Sequence, residues 1–262
     1  FFGFQLLLCV EFFRVRKSLI NQIIVSENKS KEVAELSQAQ RRFFSNMSHE
    51  IRTPINTIIG LNEMILREDA SEEIHEDAEN VQTASRMLLH LINDILDMSK
   101  LESGQMVLNK APYHIGDMLS DIVGMLCNRA KEKNLEFHVD VSPELPVELF
   151  GDEVRIKQIL INVLNNAIKY TDKGAVQLAV SCERDETDTA FIFFTVKYTG
   201  KKKKKESIPY LFTAFKRLDE KKNRYIEGTG LGLSIVKEMV ELMNGEVTVN
   251  SIYTKGSTFV VK

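Results

Sequence analysis

Cysteine is scarce. Cys9, Cys127 and Cys182 lie far apart in a chain of 262 residues, and no CxxC pair occurs. That excludes a disulfide scaffold and a zinc knuckle, and it fits a reducing compartment. No charge sign dominates either. Lys and Arg number 34 and Asp and Glu 37, a formal net charge of −3, which gives no global argument for a nucleic-acid partner. Also missing is an apolar run of about 20 residues, the length a bilayer-spanning helix needs. The composition that is present, 44% hydrophobic and 27% charged, is that of a globular protein, neither disordered nor fibrous. At about 150 residues per domain, the length allows one or two domains, each able to bury a core. The charge is unevenly spread: residues 197–224 hold 11 Lys/Arg and 3 Asp/Glu, a local +8.

The amino-terminal stretch FFGFQLLLCV is apolar, continues to Phe12 and Phe13, and turns basic at Arg14, Arg16 and Lys17. A signal-peptide core would have its basic residues in front rather than behind. The pattern reads as the cytoplasmic half of a transmembrane helix, with the basic cluster marking the cytoplasmic side. A buried apolar helix start is the alternative, and Glu11 inside the run speaks for it. Residues 1–17 are therefore set apart as a truncated membrane end with a basic juxtamembrane segment.

Two long helices are expected over 18–103. One apolar stripe runs Val33, Leu36, Phe43, Met47, Ile51, Ile55, Ile58, in helical steps. A second runs Ile74, Ala78, Val81, Ser85, Leu88, Ile92, Ile95, Ser99, at heptad spacing. The polar run 67–73 connects them. Two such faces cannot be buried by one helix pair, and a homodimer forming a four-helix bundle is the simplest solution. Residues 104–112 carry Gly and Pro and read as a linker. Over 113–262 the pattern changes: helices at 114–133, 152–171 and 231–243, and strands at 135–141, 175–182, 190–197, 246–252 and 257–262. Strands separated by helices imply a two-layer α/β sandwich.

The first chemistry lies in FFSNMSHEIRTPIN, residues 43–56. His49 is two residues past Met47, about 200° around the helix from the apolar stripe, so it faces outward. Glu50 can hold one imidazole N–H and leave the other nitrogen as a nucleophile. Thr53 stands one turn along, where its hydroxyl could orient a water. Pro54 lacks the N–H that would bond the Glu50 carbonyl, which favours a bend. A lone histidine on a helix is most often only solvated; the HExxTP setting on a bundle helix argues for chemistry.

Two further segments point to a phosphate ligand. GTGLGLSIVKEMVELMNG, residues 228–245, opens an amphipathic helix with Gly228, Gly230 and Gly232, with Thr229 and Leu231 between them. Glycines let backbone amides approach a ligand, and a helix N-terminus attracts anions. The spacing is not GxGxxG, so it is no dinucleotide fingerprint. Upstream, RIKQILINVLNNAIKYT puts Asn162 and Asn166 one turn apart, with Lys169 nearby. Asparagine is a poor mid-helix residue. The pair suggests amide oxygens turned to a cation, and Mg²⁺ with a nucleoside triphosphate fits.

Together these segments resemble the cytoplasmic part of a bacterial sensor histidine kinase, of the kind often built as hybrids, over roughly residues 30–262. FSNMSHEIRTPIN resembles the phosphoacceptor box, QILINVLNNAIKYT the asparagine box, GTGLGLSIVKEMVELMNG the second glycine box, LFTAFKRLDE the phenylalanine box and TKGSTF the final glycine turn. The resemblance implies a dimeric four-helix-bundle phosphoacceptor domain followed by an ATP-binding sandwich of the gyrase/heat-shock-ninety type. It implies His49 as phosphoacceptor, Glu50 as its acid/base partner and Thr53 in the reverse phosphatase step. It implies Asn166 as the Mg²⁺ ligand, with Asn162, Lys169, Tyr170, Gly200 and Gly228 to Gly232 lining the nucleotide. The implied partners are a second copy of the chain and the receiver domain of a response regulator. The implied location is the cytoplasmic face of a bacterial inner membrane.

One box departs from the family. After the strand FIFFTVK the family pattern is Asp-x-Gly-x-Gly, whereas this chain reads Tyr198, Thr199, Gly200, Lys201, Lys202. The position of the adenine-binding carboxylate is Tyr198, and the second glycine is Lys202. Losing a buried hydrogen bond to a carboxylate costs about 1.5–3 kcal/mol. Two classes stay open: an ATP-dependent histidine kinase impaired at base recognition, or a non-catalytic dimeric scaffold, phosphoacceptor or phosphatase.

Overall fold

The computed structural model describes residues 50–67, 71–184, 186, 189–200, 210–216, 229–252 and 256–262, preceded by Arg14, Arg16, Lys17, Gln22, Ile23, residues 25–29, Lys31 and Val33. The chain divides into two compact units, Phe1–Leu89 and His90–Lys262. The expected membrane end falls on residues 1–17, of which only the three basic residues are described. Among the described residues no helix is long and apolar enough to cross a membrane.

In the first unit, residues 50–67 form α1, continuous through Pro54 and Gly60, and α2 (Glu72–Glu102) begins. The polar run was expected to last to residue 73, but the helix starts at Glu72. Ser71 is the reason. Its Oγ accepts the Ile74 amide at 3.5 Å and its carbonyl the His75 amide at 3.0 Å, and Glu72 and Glu73 suit the positive end of the helix. Ile55, Asn62 and Ala78 are buried. Asn62 Nδ2 donates to the Ala78 carbonyl, tying α1 to α2. The heptad positions Ile74, Val81 and Leu88 of α2 remain exposed in the single chain, as do Ile58 of the first stripe and, outside that stripe, Leu61, Met64 and Ile65 of α1.

The second unit takes in the last part of α2, followed by β1 (Ala111–His114), α3 (Ile115–Glu132), β2 (Glu136–Val141), β3 (Glu148–Gly151), α4 (Glu153–Lys169), β4 (Ala175–Arg184), β5 (Ala190–Tyr198), α5 (Gly232–Leu242), β6 (Val247–Ile252) and β7 (Gly256–Val261). A five-stranded sheet has the order β2-β4-β5-β7-β6. β2 and β4 are parallel and the other pairs antiparallel. The two-layer sandwich is as expected. Alternation does the work: Val176, Leu178 and Val180 of β4, Phe194, Val196 and Tyr198 of β5, and Phe259 and Val261 of β7 face one core. Met118, Ile122 and Leu126 of α3, Val163 and Leu164 of α4, and Ile235 and Met239 of α5 close it from the helix side.

A second, two-stranded sheet pairs β1 with β3, Pro112 opposite Phe150. Neither strand was expected. β1 begins inside the stretch read as linker, and four residues are too few for alternation to declare itself.

Candidate active site

α4 forms one wall of the site, and three side chains fix it in place. Asp152 caps its start: Oδ1 accepts the Arg155 amide at 3.1 Å, and Oδ2 accepts the Asn109 amide at 2.8 Å. At the far end Lys133 Nζ donates to the carbonyls of Ile168 and Lys169 at 3.2 and 3.1 Å, meeting the negative end of the helix. On α3, Arg129 donates to Asn165 Oδ1 at 2.9 Å. Between these fixings stand the two predicted asparagines. Asn166 Nδ2 donates to the Asn162 carbonyl at 2.9 Å, and Oδ1 is the acceptor of that amide. Asn162 Nδ2 is buried without a hydrogen-bond partner. An orphaned buried amide costs about 1–3 kcal/mol and marks a place for a polar ligand.

The glycine turn forms the second wall. A Cβ on Gly232 would lie 3.8 Å from the Asn162 amide carbon and oxygen, so the start of α5 stands beside the orphaned amide. Gly230 takes φ 75°, a left-handed value glycine accepts without strain. Its carbonyl accepts the Phe215 amide at 3.1 Å, which ties part of the phenylalanine box to the turn. Thr229 Oγ1 accepts the Leu231 amide at 3.0 Å and donates to Asp94 Oδ2 at 3.4 Å.

The end of β5 carries the segment that departs from the first glycine box, apart from these two walls. Tyr198 is 1% exposed. Its ring stacks on Phe259 at 6.3 Å between centroids, and Phe212 meets Phe259 edge-on at 6.4 Å. Burial pushes the Tyr198 phenol up to about 12, with Ser257 acting against the shift and Tyr170 adding to it. The position that the resemblance assigns to an adenine-binding carboxylate is an aromatic ring sealed into the core. Gly200 keeps a structural part of the box: a Cβ there would collide with the Tyr170 carbonyl. Lys169 Nζ sits 5.4 Å from the centre of the Tyr170 ring.

The structure therefore brings together Asn162, Asn166, Thr229, Gly230, Leu231 and Gly232, and separately Tyr170 and Gly200. His49, Gly228 and Lys201 to Lys205 lie outside the described residues. Glu50 and Thr53 are exposed on α1, and the Thr53 carbonyl accepts the Thr57 hydroxyl at 3.0 Å. Sequence reasoning missed Lys133, Asp152 and Asp94. Only Asp152 left a signal, as an N-cap-type residue in front of a helical pattern.

The sequence HExxTP, a helical pair, and a sandwich with an asparagine helix and a glycine turn together match a histidine kinase core. Residues 39–104 match the His Kinase A (phospho-acceptor) domain, and residues 151–262 match the Histidine kinase-, DNA gyrase B-, and HSP90-like ATPase family. The chain belongs to the histidine kinases. It is 38% identical over 246 residues to hybrid signal transduction histidine kinase L of Dictyostelium discoideum, covering 93% of this chain and 14% of that protein. It is 36% identical over 229 residues to sensor histidine kinase GacS of Pseudomonas protegens, covering 87% of this chain and 25% of that one. The chain thus spans a quarter or less of these relatives. The solved structure of full-length ShkA in complex with AMPPNP superposes with a TM-score of 0.69 at 30% identity, over 83% of this chain and 44% of that one.

Proposed function

We propose that the chain is the catalytic core of a membrane-anchored sensor kinase that phosphorylates its own His49 and passes the group to an aspartate of a receiver domain. The observation that carries the reading is the orphaned Asn162 amide beside the glycine turn, with the Asn166 oxygen one helical turn away. These groups fit the polyphosphate and Mg²⁺ end of a nucleotide. Asn166 would hold the metal, and Asn162, Lys169, Tyr170 and Gly228 to Gly232 would line the nucleotide. Mg-ATP supplies the transferable phosphoryl group. A nitrogen of the His49 imidazole forms the N–P bond, the bond to the ADP oxygen breaks, and Glu50 takes the imidazole proton. In the reverse step Thr53 orients the water that hydrolyses a receiver phosphoaspartate.

The adenine end does not fit. With Tyr198 in place of a carboxylate, a loss of about 1.5–3 kcal/mol corresponds to about 10- to 150-fold in affinity. The reading is therefore a kinase with weak base recognition. The same buried tyrosine favours the second reading, a non-catalytic phosphoacceptor or phosphatase that depends on another ATP domain. The exposed apolar residues of α1 and the exposed heptad positions of α2 support a homodimer, and the basic cluster at Arg14, Arg16 and Lys17 supports the cytoplasmic face of a bacterial inner membrane.

Labelled ATP tests the reading. The kinase reading expects slow, acid-labile labelling that disappears in His49→Gln, with similar residual affinities for ATP and GTP. No labelling, with intact dephosphorylation of a receiver, selects the second reading. Label that persists in His49→Gln overturns the assignment of the acceptor. Light scattering at tens of micromolar should give a dimer, and a monomer would overturn the bundle.

A further inference from the structure

The end of α2 lies against the α/β core. Ile95, Met98 and Leu101 pack on it, and two carboxylates flank them. Asp97 Oδ2 accepts Gln158 Nε2 at 2.8 Å and Arg155 Nη1 at 3.3 Å, an ordinary half-buried seam. Asp94 is placed differently. It is 4% exposed; among the described residues its hydrogen bond is from the Thr229 hydroxyl at 3.4 Å, and the His90 imidazole lies 3.9 Å from its other oxygen on a largely exposed side chain. Burial holds the Asp94 carboxyl above its ordinary range and Asp97 adds to this, while His90 and Thr229 act against it. Burying a carboxylate on one long hydrogen bond among the described residues costs stability.

What it faces is the glycine turn. Thr229 Oγ1 is engaged on both sides, accepting from the Leu231 amide and donating to Asp94. One amide at the helix start is thereby satisfied inside the protein, and a negative charge stands where the turn would otherwise meet a negative ligand. We infer that Asp94 is a positioning residue that opposes polyphosphate at this turn, so that the docked end of α2 and a bound polyphosphate compete for Thr229. The inference rests on the reading of residues 228–232 as the phosphate site. Because linkage is reciprocal, a polyphosphate that binds must in turn loosen the docked segment.

The test uses the full chain, with Mg-ATP and inorganic tripolyphosphate as probes. Asp94→Asn keeps the shape and still accepts the Thr229 hydroxyl, but removes the charge. It should bind both probes roughly three- to ten-fold tighter, the size of a screened like-charge contact near a protein surface, and the gain should shrink as salt is raised. A residue that only held the fold together would give equal or weaker binding instead. Asp97→Asn loosens the same seam away from the turn, so its gain should be smaller; an equal or larger gain overturns the assignment to Asp94. Hydrogen exchange gives a second readout: tripolyphosphate should speed exchange across residues 95–101 in the unmodified chain. If both chains bind the probes equally, the inference falls and the phosphate site stands. If neither binds either probe, the phosphate site falls and the inference with it.

Discussion

Restoring the carboxylate of the broken box, Tyr198→Asp, should weaken the fold and strengthen ATP binding at once. The Tyr198 ring is buried and stacked on Phe259. Cutting a large core side chain to a small one costs about 3–5 kcal/mol, and placing a polar group in the space left adds roughly 1–3 kcal/mol. Against a typical total of about 5–15 kcal/mol, the ligand-free α/β unit should approach the edge of stability. A hydrogen bond from the adenine amino group to the new carboxylate recovers about 1.5–3 kcal/mol, and only in the bound state. Thermal unfolding with ATP, with GTP and without nucleotide reads both effects. The variant should melt well below the unmodified chain, and ATP should raise its midpoint more than GTP does. At a hundred times Kd that stabilisation is about 2.7 kcal/mol. Tyr198→Phe keeps the ring, so it should melt close to the unmodified chain and gain no ATP selectivity. A Tyr198→Asp variant that melts like the unmodified chain would refute the packing argument, and one that ATP and GTP stabilise alike would refute the recognition argument.

Other expectations follow from single contacts. Asp152→Ala removes the acceptor for both the Arg155 and the Asn109 amides; a lost cap and an orphaned amide together should cost about 2–4 kcal/mol in urea unfolding, and Asp152→Asn should recover part of it. Gly200→Ala drives a Cβ into the Tyr170 carbonyl; it should cost about 1–3 kcal/mol and weaken nucleotide binding, because Tyr170 must move. Alkaline pH should unfold the chain between about 10 and 12. Burial raises Tyr113 and Tyr198 from 10.0 to about 12, so the folded chain keeps protons that the unfolded chain has lost, and stability falls as pH rises through that window. Phenolate absorbance should develop together with unfolding rather than ahead of it.

Much of the fold was legible because its signals are periodic. The heptads of α2, the alternation in β4 and β5, and the glycines at 228–232 each carry their meaning within a few residues. β1 and β3 were not legible, since neither is long enough to alternate and their pairing links residues 111–114 with 148–151. The helix starts were misplaced by a residue or two wherever a cap such as Ser71 decides them. In the candidate site, Asn162 and Asn166 stand out in the sequence as poor mid-helix residues, and the glycines as residues that let backbone amides approach a ligand. Lys133 and Asp94 were not, because each acts on a backbone or a hydroxyl more than thirty residues away in sequence. Tyr198 was legible as a departure, but its stacking on Phe259 emerges only from the register of β5 against β7.

That register bears on how the ATP-binding unit is assembled. Among the described strands β7 comes last in sequence, yet it lies inside the sheet, with β5 on one side and β6 on the other. Phe194 pairs with Val261 and Tyr198 with Ser257, so the two parts of the sheet join only when a long intervening stretch of chain has been closed into a loop. Closing it loses entropy before any contact is gained, which makes the sheet a slow, high-contact-order step in folding. Until residues 256–261 arrive, one edge of β5 is an open row of backbone donors and acceptors flanked by Phe191 and Phe193. Such an edge invites pairing with another nascent chain. The unit that is to bind nucleotide is therefore most prone to aggregation just before its final strand slots in.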